Sequence, residues 1–330
     1  MLILSKEDVK KAVTMREAID AVELAYSHYY QKKAETPLRT RIHCDQVNGD
    51  MLFMPAFMAQ QGGVGIKVVS VFPENLKQAK PTISAVMLYS DSETGEHLCL
   101  MDATFMTALR TGAASGVATR YLAKESSRKA ALFGTGGQAL RQLEAVLEER
   151  NIEEVFIFDI NVQRATDFIK LCEEELAGFS FSAVLANSPA QAVQDADIVM
   201  TATTSKTPVF SGNDIKPGTH INGIGSFTPE MQEIDEITLA RAEKIVIDSF
   251  DASFKEAGDL IIPMEKGVLS KADIYSEIGK ITSGEMPGRE SNEEITYFKS
   301  VGIAVQDIAV AKIIYENAKV KRLGQEIEIF

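Results

Sequence analysis

Apolar positions follow different rhythms in the first 122 residues. Thr14-Met15-Arg16-Glu17 sets a hydroxyl three residues before a carboxylate, a capping-box pattern. Ala21, Val22, Leu24, Ala25 and Tyr29 then recur at helical spacing, which predicts an amphipathic helix over 15–32. From Leu38 to about Leu100 the pattern becomes short apolar runs: Met51 to Phe57, Val64 to Phe72, Ser84 to Tyr89 and His97 to Met101. Turn signals at Asn48-Gly49, Gly62-Gly63 and Thr94-Gly95 punctuate this stretch, so an antiparallel sheet is expected. Thr107 to Leu122 is rich in alanine and other small residues and predicts a closely packed helix.

At residue 129 the chain begins to alternate strand with helix. Strands are expected at 129–133, 154–158, 181–185, 198–201, 220–224 and 244–247, and helices at 138–149, 161–176 and, briefly, 189–193. Such alternation predicts a parallel, doubly wound sheet. A last helix is expected over 307–316, and 284–292 is the most loop-like long segment. The fold class is therefore α/β: a Rossmann doubly wound parallel sheet, plus a second α+β domain with an antiparallel sheet.

Composition adds limits. The 330 residues are 45% apolar and 25% charged, an ordinary globular balance with length for two domains. A net charge of −13 disfavours nucleic acid and anionic membranes as partners. Cys44, Cys99 and Cys172 are far apart and show no metal-ligand spacing, so no metal site is expected and free thiols in a reducing, cytoplasmic compartment are. The start of the chain has no signal-peptide core, and no apolar run approaches the roughly 18 residues that span a bilayer. His28, His43, His97 and His220 form no triad or metal pattern and are read as structural.

The chemistry begins at Gly134-Thr135-Gly136-Gly137-Gln138-Ala139, which follows the apolar strand Ala130 to Phe133 directly. This is the G-x-G-x-x-A form of a dinucleotide-binding turn. Gly134 permits the tight turn, Gly136 lets backbone approach a pyrophosphate, and Ala139 lets the helix pack close to the strand. The helix start then offers unpaired N–H groups to phosphate. Twenty residues after Ala139, Asp159 ends the second strand, where a carboxylate can accept from both ribose hydroxyls. It would repel a 2′-phosphate, which favours NAD(H); Arg164 offers that phosphate a partner, which leaves NADP(H) open.

Hydride chemistry also needs a group to hold the acceptor. Lys67 is the only charge in the apolar run Gly63 to Val69, and is either a buried amine with a function or an edge-strand lysine facing solvent. Arg110 is alone among small residues; Arg39 and Arg41 lie at the first strand of the sheet, on one face by alternation. Each arginine is a candidate carboxylate fork or a structural ion pair.

Segments spread over nearly the whole chain resemble the ornithine cyclodeaminase/mu-crystallin family. They are Pro37-Leu38-Arg39, Met54-Pro55-Ala56, Gly65-Ile66-Lys67, Thr107 to Thr111, the Gly134 turn, Ala196 to Val199, Gly218 to Asn222, Glu256 to Asp259 and Thr296 to Gly302. The resemblance implies a substrate and dimerisation domain at 1–115, rejoined by 305–330, around a Rossmann domain at 116–304. It implies a homodimer with a barrel shared between subunits. It places Arg39, Lys67 and Arg110 at carboxylate-binding and catalytic positions, and Thr201, Ala202, Thr203 and Val301 at the nicotinamide end.

One departure bears on the reaction. Cyclodeaminases and alanine dehydrogenases of the family carry a catalytic aspartate in a Gly-x-Asp-x-Pro loop. This chain reads Gly225-Ser226-Phe227-Thr228-Pro229, and phenylalanine cannot take a proton. Mu-crystallin-like ketimine reductases likewise lack that aspartate. The expected activity is therefore NAD(P)H-dependent reduction of a cyclic ketimine carboxylate, Δ1-pyrroline-2-carboxylate to L-proline. The alternatives are an ornithine cyclodeaminase or alanine dehydrogenase with Asp307, Glu230 or Glu233 as base, and a non-catalytic, mu-crystallin-like dinucleotide-dependent binding protein.

Overall fold

The computed structural model describes residues 1–59 and 63–329, so Gly62 of the Gly62-Gly63 turn lies outside the described residues. The chain divides into two compact units, Met1–Arg110 with Ile303–Phe330, and Thr111–Gly302.

In the first unit, strands β1 (Leu2–Leu4), β2 (Ala34–Glu35), β3 (Thr40–Cys44), β4 (Gly49–Met58), β5 (Gly63–Val71), β6 (Ile83–Ser90) and β7 (His97–Asp102) form one sheet with a last short strand, Gln325–Glu326. The order is Gln325–Glu326, β1, β7, β6, β5, β4, β2, with β3 also on β4. Pairing is antiparallel as expected, except that β1 runs parallel to β7. The expected helix is Met15–Tyr30, and its capping box forms: Thr14 Oγ1 accepts from Glu17 N–H, and Glu17 Oε2 accepts from Thr14 N–H at 2.8 Å. A second box, Ser5 with Asp8, starts the short helix Lys6–Ala12, which the apolar pattern alone did not mark.

Alternation along β5 decides what the sheet presents. Gly65 and Lys67 face the C-terminal helix Ala304–Lys321: a β-carbon on Gly65 would come within 2.9 Å of Ile308 Cδ1. Val64, Ile66 and Val68 point the other way. Register sets them beside Phe57, Pro55 and Phe53 of β4, and Val68 beside Val86 of β6, which makes an apolar outer face.

The second unit holds β8 (Lys129–Phe133), β9 (Glu154–Phe158), β10 (Ser182–Leu185), β11 (Ile198–Thr201), β12 (His220–Gly223), β13 (Lys244–Ile247), β14 (Ile274–Glu277) and β15 (Thr296–Lys299). All pairs are parallel, in the order β10, β9, β8, β11, β12, β15, β13, β14. The strand order reverses between β8 and β11, the place where doubly wound sheets open a ligand crevice. Leu132, Val155, Ile157, Ile198 and Met200 pack under Leu143, Val146 and Ala139 of the helix that follows the glycine turn. β15 and β14 were not marked by the sequence pattern. β15 lies between β12 and β13, completely buried despite Lys299 at its end. No helix among the described residues is long and apolar enough to cross a membrane.

Candidate active site

A cavity of about 500 Å³ opens in the second unit beyond the carboxyl ends of β8 and β11. Gly134, Thr135 and Gly136 form one wall, Asp159, Ile160 and Arg164 a second, and Ala202, Thr203, Thr204 and Ser205 a third. Gly137, Gln138, Ala139, Thr201 and Val301 do not line it. Ala139 is fully buried in the core, Thr201 turns its hydroxyl into the buried Glu233, and the Val301 N–H donates to Asp248 Oδ2 at 2.8 Å.

The glycines of the turn differ in what they are for. Gly134 has φ +86°, and a β-carbon there would come within 2.9 Å of the Ala202 carbonyl oxygen. The backbone itself demands glycine at this point. Gly136 has no such φ, and a β-carbon would meet nothing within 4 Å. Protein packing gives no reason for glycine there; a ligand backbone lying against the turn does. The residues present thus fit a dinucleotide, with its pyrophosphate against Gly136 and the start of helix Ala139–Glu149.

Asp159 is tied to this turn. Its Oδ2 accepts from the Thr135 N–H at 3.0 Å and the Thr135 hydroxyl at 2.7 Å, and Oδ1 accepts from the Asn161 N–H at 2.9 Å. Partial burial would raise its pKa, but the bonds from Asn161 and Thr135 outweigh it and hold the carboxyl below its usual value. The acid therefore stays ionised at the cavity wall.

The first unit carries a separate cluster. Lys67 is 1% exposed, and its Nζ donates to Asp307 Oδ1 at 2.8 Å. Arg110 Nε lies 3.1 Å from the same oxygen, as an ion pair without hydrogen-bond alignment. The Arg110 guanidinium donates instead to Gln306 Oε1, and Gln306 Nε2 donates to the Tyr26 hydroxyl. Asp307 Oδ2 is buried and takes no hydrogen bond from the described residues. Arg39, half-buried ahead of β3, is near enough to repel the Lys67 amine. Burial is the main cause that pushes the Lys67 pKa down to about 7, with Arg110 and Arg39 adding to it and Asp307 opposing. Arg41, by contrast, makes an exposed two-point pair with Asp50 on β4.

The edge-strand alternative for Lys67 is thus excluded by its burial. Asp307 and Gln306 carried the same signal, polar side chains in the apolar run Val305 to Val310. Replacing Asp307 by leucine leaves Arg110 buried without its anion, and is expected to lower unfolding free energy by about 3 kcal/mol. Denaturant melts read this; an unchanged midpoint would remove Asp307 as the cluster's counter-charge.

A third buried group sits behind the cavity. Glu233 and Asp259 are fully buried, and Asp259 Oδ2 accepts from Lys299 Nζ at 3.0 Å and from the Tyr297 hydroxyl at 3.1 Å. Burial, then the charge of Asp259, raises the Glu233 carboxyl pKa against the pull of Lys299 and Thr203. Phe227 is 43% exposed in the loop after β12, and Glu230 is exposed. His220 is fully buried between Thr296 and Asn222, and burial pushes its pKa down to about 3, so it stays neutral. No group of three or more His, Cys, Asp or Glu among the described residues is placed to hold a metal.

Comparison with known proteins agrees with this architecture. The profile of the ornithine cyclodeaminase/mu-crystallin family matches residues 1–322. A Δ1-pyrroline-2-carboxylate reductase of Bacillus cereus is 40% identical over 328 residues, covering 99% of this chain and 100% of the relative. The Thermococcus litoralis Δ1-pyrroline-2-carboxylate reductase, solved with NADH and L-proline, superimposes with a TM-score of 0.93 at 42% identity, covering 99% of this chain and 100% of that one. An archaeal alanine dehydrogenase dimer with bound NAD superimposes with a TM-score of 0.91 at 39% identity, covering 100% and 99%. The chain belongs to the ornithine cyclodeaminase/mu-crystallin family.

Proposed function

We propose that the protein reduces Δ1-pyrroline-2-carboxylate to L-proline with NAD(H) as cofactor. The observation that carries this reading is the buried cluster in which Lys67 and Arg110 are set against Asp307, with half-buried Arg39 near the Lys67 amine. Such a cluster has excess positive charge, and an anionic substrate neutralises it. Arg39 and Arg110 would hold the carboxylate, Arg110 with its plane set by Gln306. Lys67 would orient the ring nitrogen and deliver its proton, and an amine with a pKa of about 7 is poised for that at neutral pH. NADH, when bound, would supply the hydride for the imine carbon. Gly134, Thr135, Gly136 and Asp159 would hold the dinucleotide, with Ala202 and Thr203 toward its nicotinamide end. Phe227 carries no titratable group, which suits a reduction that needs no carboxylate base. The activities named for the Bacillus and Thermococcus relatives support the same reading.

Asp159 is proposed to set cofactor choice. Asp159→Ser is expected to raise the NADPH-to-NADH ratio of kcat/KM roughly tenfold, as Arg164 gains a phosphate partner without a competing carboxylate. An unchanged ratio would leave selection to other residues.

A homodimer is proposed on two grounds: the archaeal relative is described as a dimer, and the first unit has an apolar outer sheet face. Cys44, Cys99 and Cys172 are free thiols, which fits a reducing cytoplasm.

The deciding experiment is a panel of cyclic imines and amino acids assayed with NADH, NADPH and their oxidised forms by nicotinamide absorbance. Consumption of NADH with the five-membered imine is expected. Ammonia release from L-ornithine, or rapid L-alanine oxidation without imine reduction, would overturn the proposal. Tight NADH binding with no turnover of any imine would instead favour a binding protein.

A further inference from the structure

Glu233 belongs to no strand or helix, yet its side chain is completely buried and five donors converge on it. Oε1 accepts from the Thr203 N–H at 2.6 Å and the Thr203 hydroxyl at 2.7 Å. Oε2 accepts from the Thr201 hydroxyl at 2.9 Å, the Gly225 N–H at 2.7 Å and the Ser226 N–H at 3.2 Å. A carboxylate offers about four lone-pair sites, so this one is saturated. The donors come from two separate stretches, one at the end of β11 and just beyond it, and one after β12. The stretches touch: a β-carbon on Gly225 would lie within 2.1 Å of the Thr203 carbonyl oxygen and 2.5 Å of Glu233 Oε1.

The carboxylate is itself fixed from behind. The backbone N–H groups of Glu233 and Ile234 donate to Asp259 Oδ1 at 2.6 and 3.1 Å. The Glu233 carbonyl accepts from the Val209 N–H at 2.9 Å, on a segment that also lines the cavity. What is held matters for chemistry. Ala202 to Ser205 form a cavity wall, and Phe227 is the residue after Ser226.

We infer that Glu233 is a positioning residue for the nucleotide cavity: its one carboxyl group locks segment 201–205, whose Ala202 to Ser205 form the wall, to the 224–227 turn, so that the wall and Phe227 keep a single arrangement. This rests on the proposal that the cavity takes the dinucleotide. Backbone N–H groups donate to both oxygens, Thr203 to Oε1 and Gly225 and Ser226 to Oε2, so both positions require an accepting oxygen. A glutamine here would turn an NH2 toward N–H and O–H donors and leave at least one buried donor unpaired.

The test is Glu233→Gln in the full chain, with three readouts. These are the melting temperature of the free protein, amide hydrogen exchange in 201–205 and 224–227, and the NADH Kd from nicotinamide fluorescence, well below the melt. Exchange is expected to quicken in both segments together, and the Kd to weaken roughly tenfold or more. Glu233→Asp, which keeps both carboxyl oxygens, is expected to recover part of the affinity. A folded Gln variant with wild-type exchange in these segments, or with a Kd within about twofold of wild type, overturns the inference. A purely structural role would lower the melting temperature without moving the Kd. Where the Gln variant does not fold, Thr201→Val removes one donor of the same clamp, and unchanged exchange and Kd in it overturn the inference equally. If the wild-type protein binds no NADH, the reading of the cavity fails, while the exchange data still decide whether Glu233 holds the two segments.

Discussion

Replacing Lys67 by methionine is expected to lower imine reduction by about 10²- to 10⁴-fold, the usual worth of a positioned proton donor. Methionine fills a similar volume and removes a buried charge, while Arg110 remains beside Asp307. The variant should therefore fold, and the loss should appear in kcat. The wild-type pH profile carries the sign of the mechanism. Reduction needs the ammonium form, so its rate should fall as pH rises through about 7. Proline oxidation needs the free amine, so its rate should rise through the same range and level off above it. Stability follows its own slope. Between about 7 and 10.5 the unfolded chain holds a proton on Lys67 that the folded chain does not, so folding becomes more favourable as pH rises across that window. Lys67→Met should remove that slope. Near-normal turnover in the variant, or a reductive rate that climbs with pH near 7, would take Lys67 out of the proton path.

Gly136→Ala is expected to weaken NADH binding by about 100-fold, roughly 2.7 kcal/mol, with little change in the melting temperature of the free protein. The added methyl meets no protein atom within 4 Å, so only the ligand feels it. Gly134→Ala should behave in the opposite way. Its φ of +86° and its approach to the Ala202 carbonyl put the strain in the fold, and the melting temperature should drop even without cofactor. Titration calorimetry and thermal melts on both variants separate the two roles. Wild-type affinity in Gly136→Ala would mean that the turn does not cradle a pyrophosphate.

Much of the second unit was legible because local signals agree there. Apolar runs at β8 and β9 end in Gly134 and Asp159, and the helices that follow them, Ala139–Glu149 and Val162–Glu175, have clear periods. The turn at Gly134 and the carboxylate at Asp159 sit at fixed separations along the chain, so spacing alone brings them together. β15 was missed because a four-residue strand ending in lysine has no pattern of its own; it is a strand because β12 and β13 flank it. β1 and the strand Gln325–Glu326 are three and two residues long and form only because distant parts of the chain supply their partners.

The candidate site divides in the same way. By itself the sequence determined the glycine-rich turn after β8 and the isolated charges Lys67 and Arg110, since each is a local departure from its surroundings, whereas Phe227 stands out only against the family's Gly-x-Asp-x-Pro loop. Only the tertiary structure decided that Lys67 is buried, that Asp307 from 240 positions away is its counter-charge, and that Glu233 joins two loops. The reason is physical: a side chain's pKa and partners depend on burial and on the charges near it in space. Those neighbours are brought together by strand register and helix packing, not by closeness along the chain.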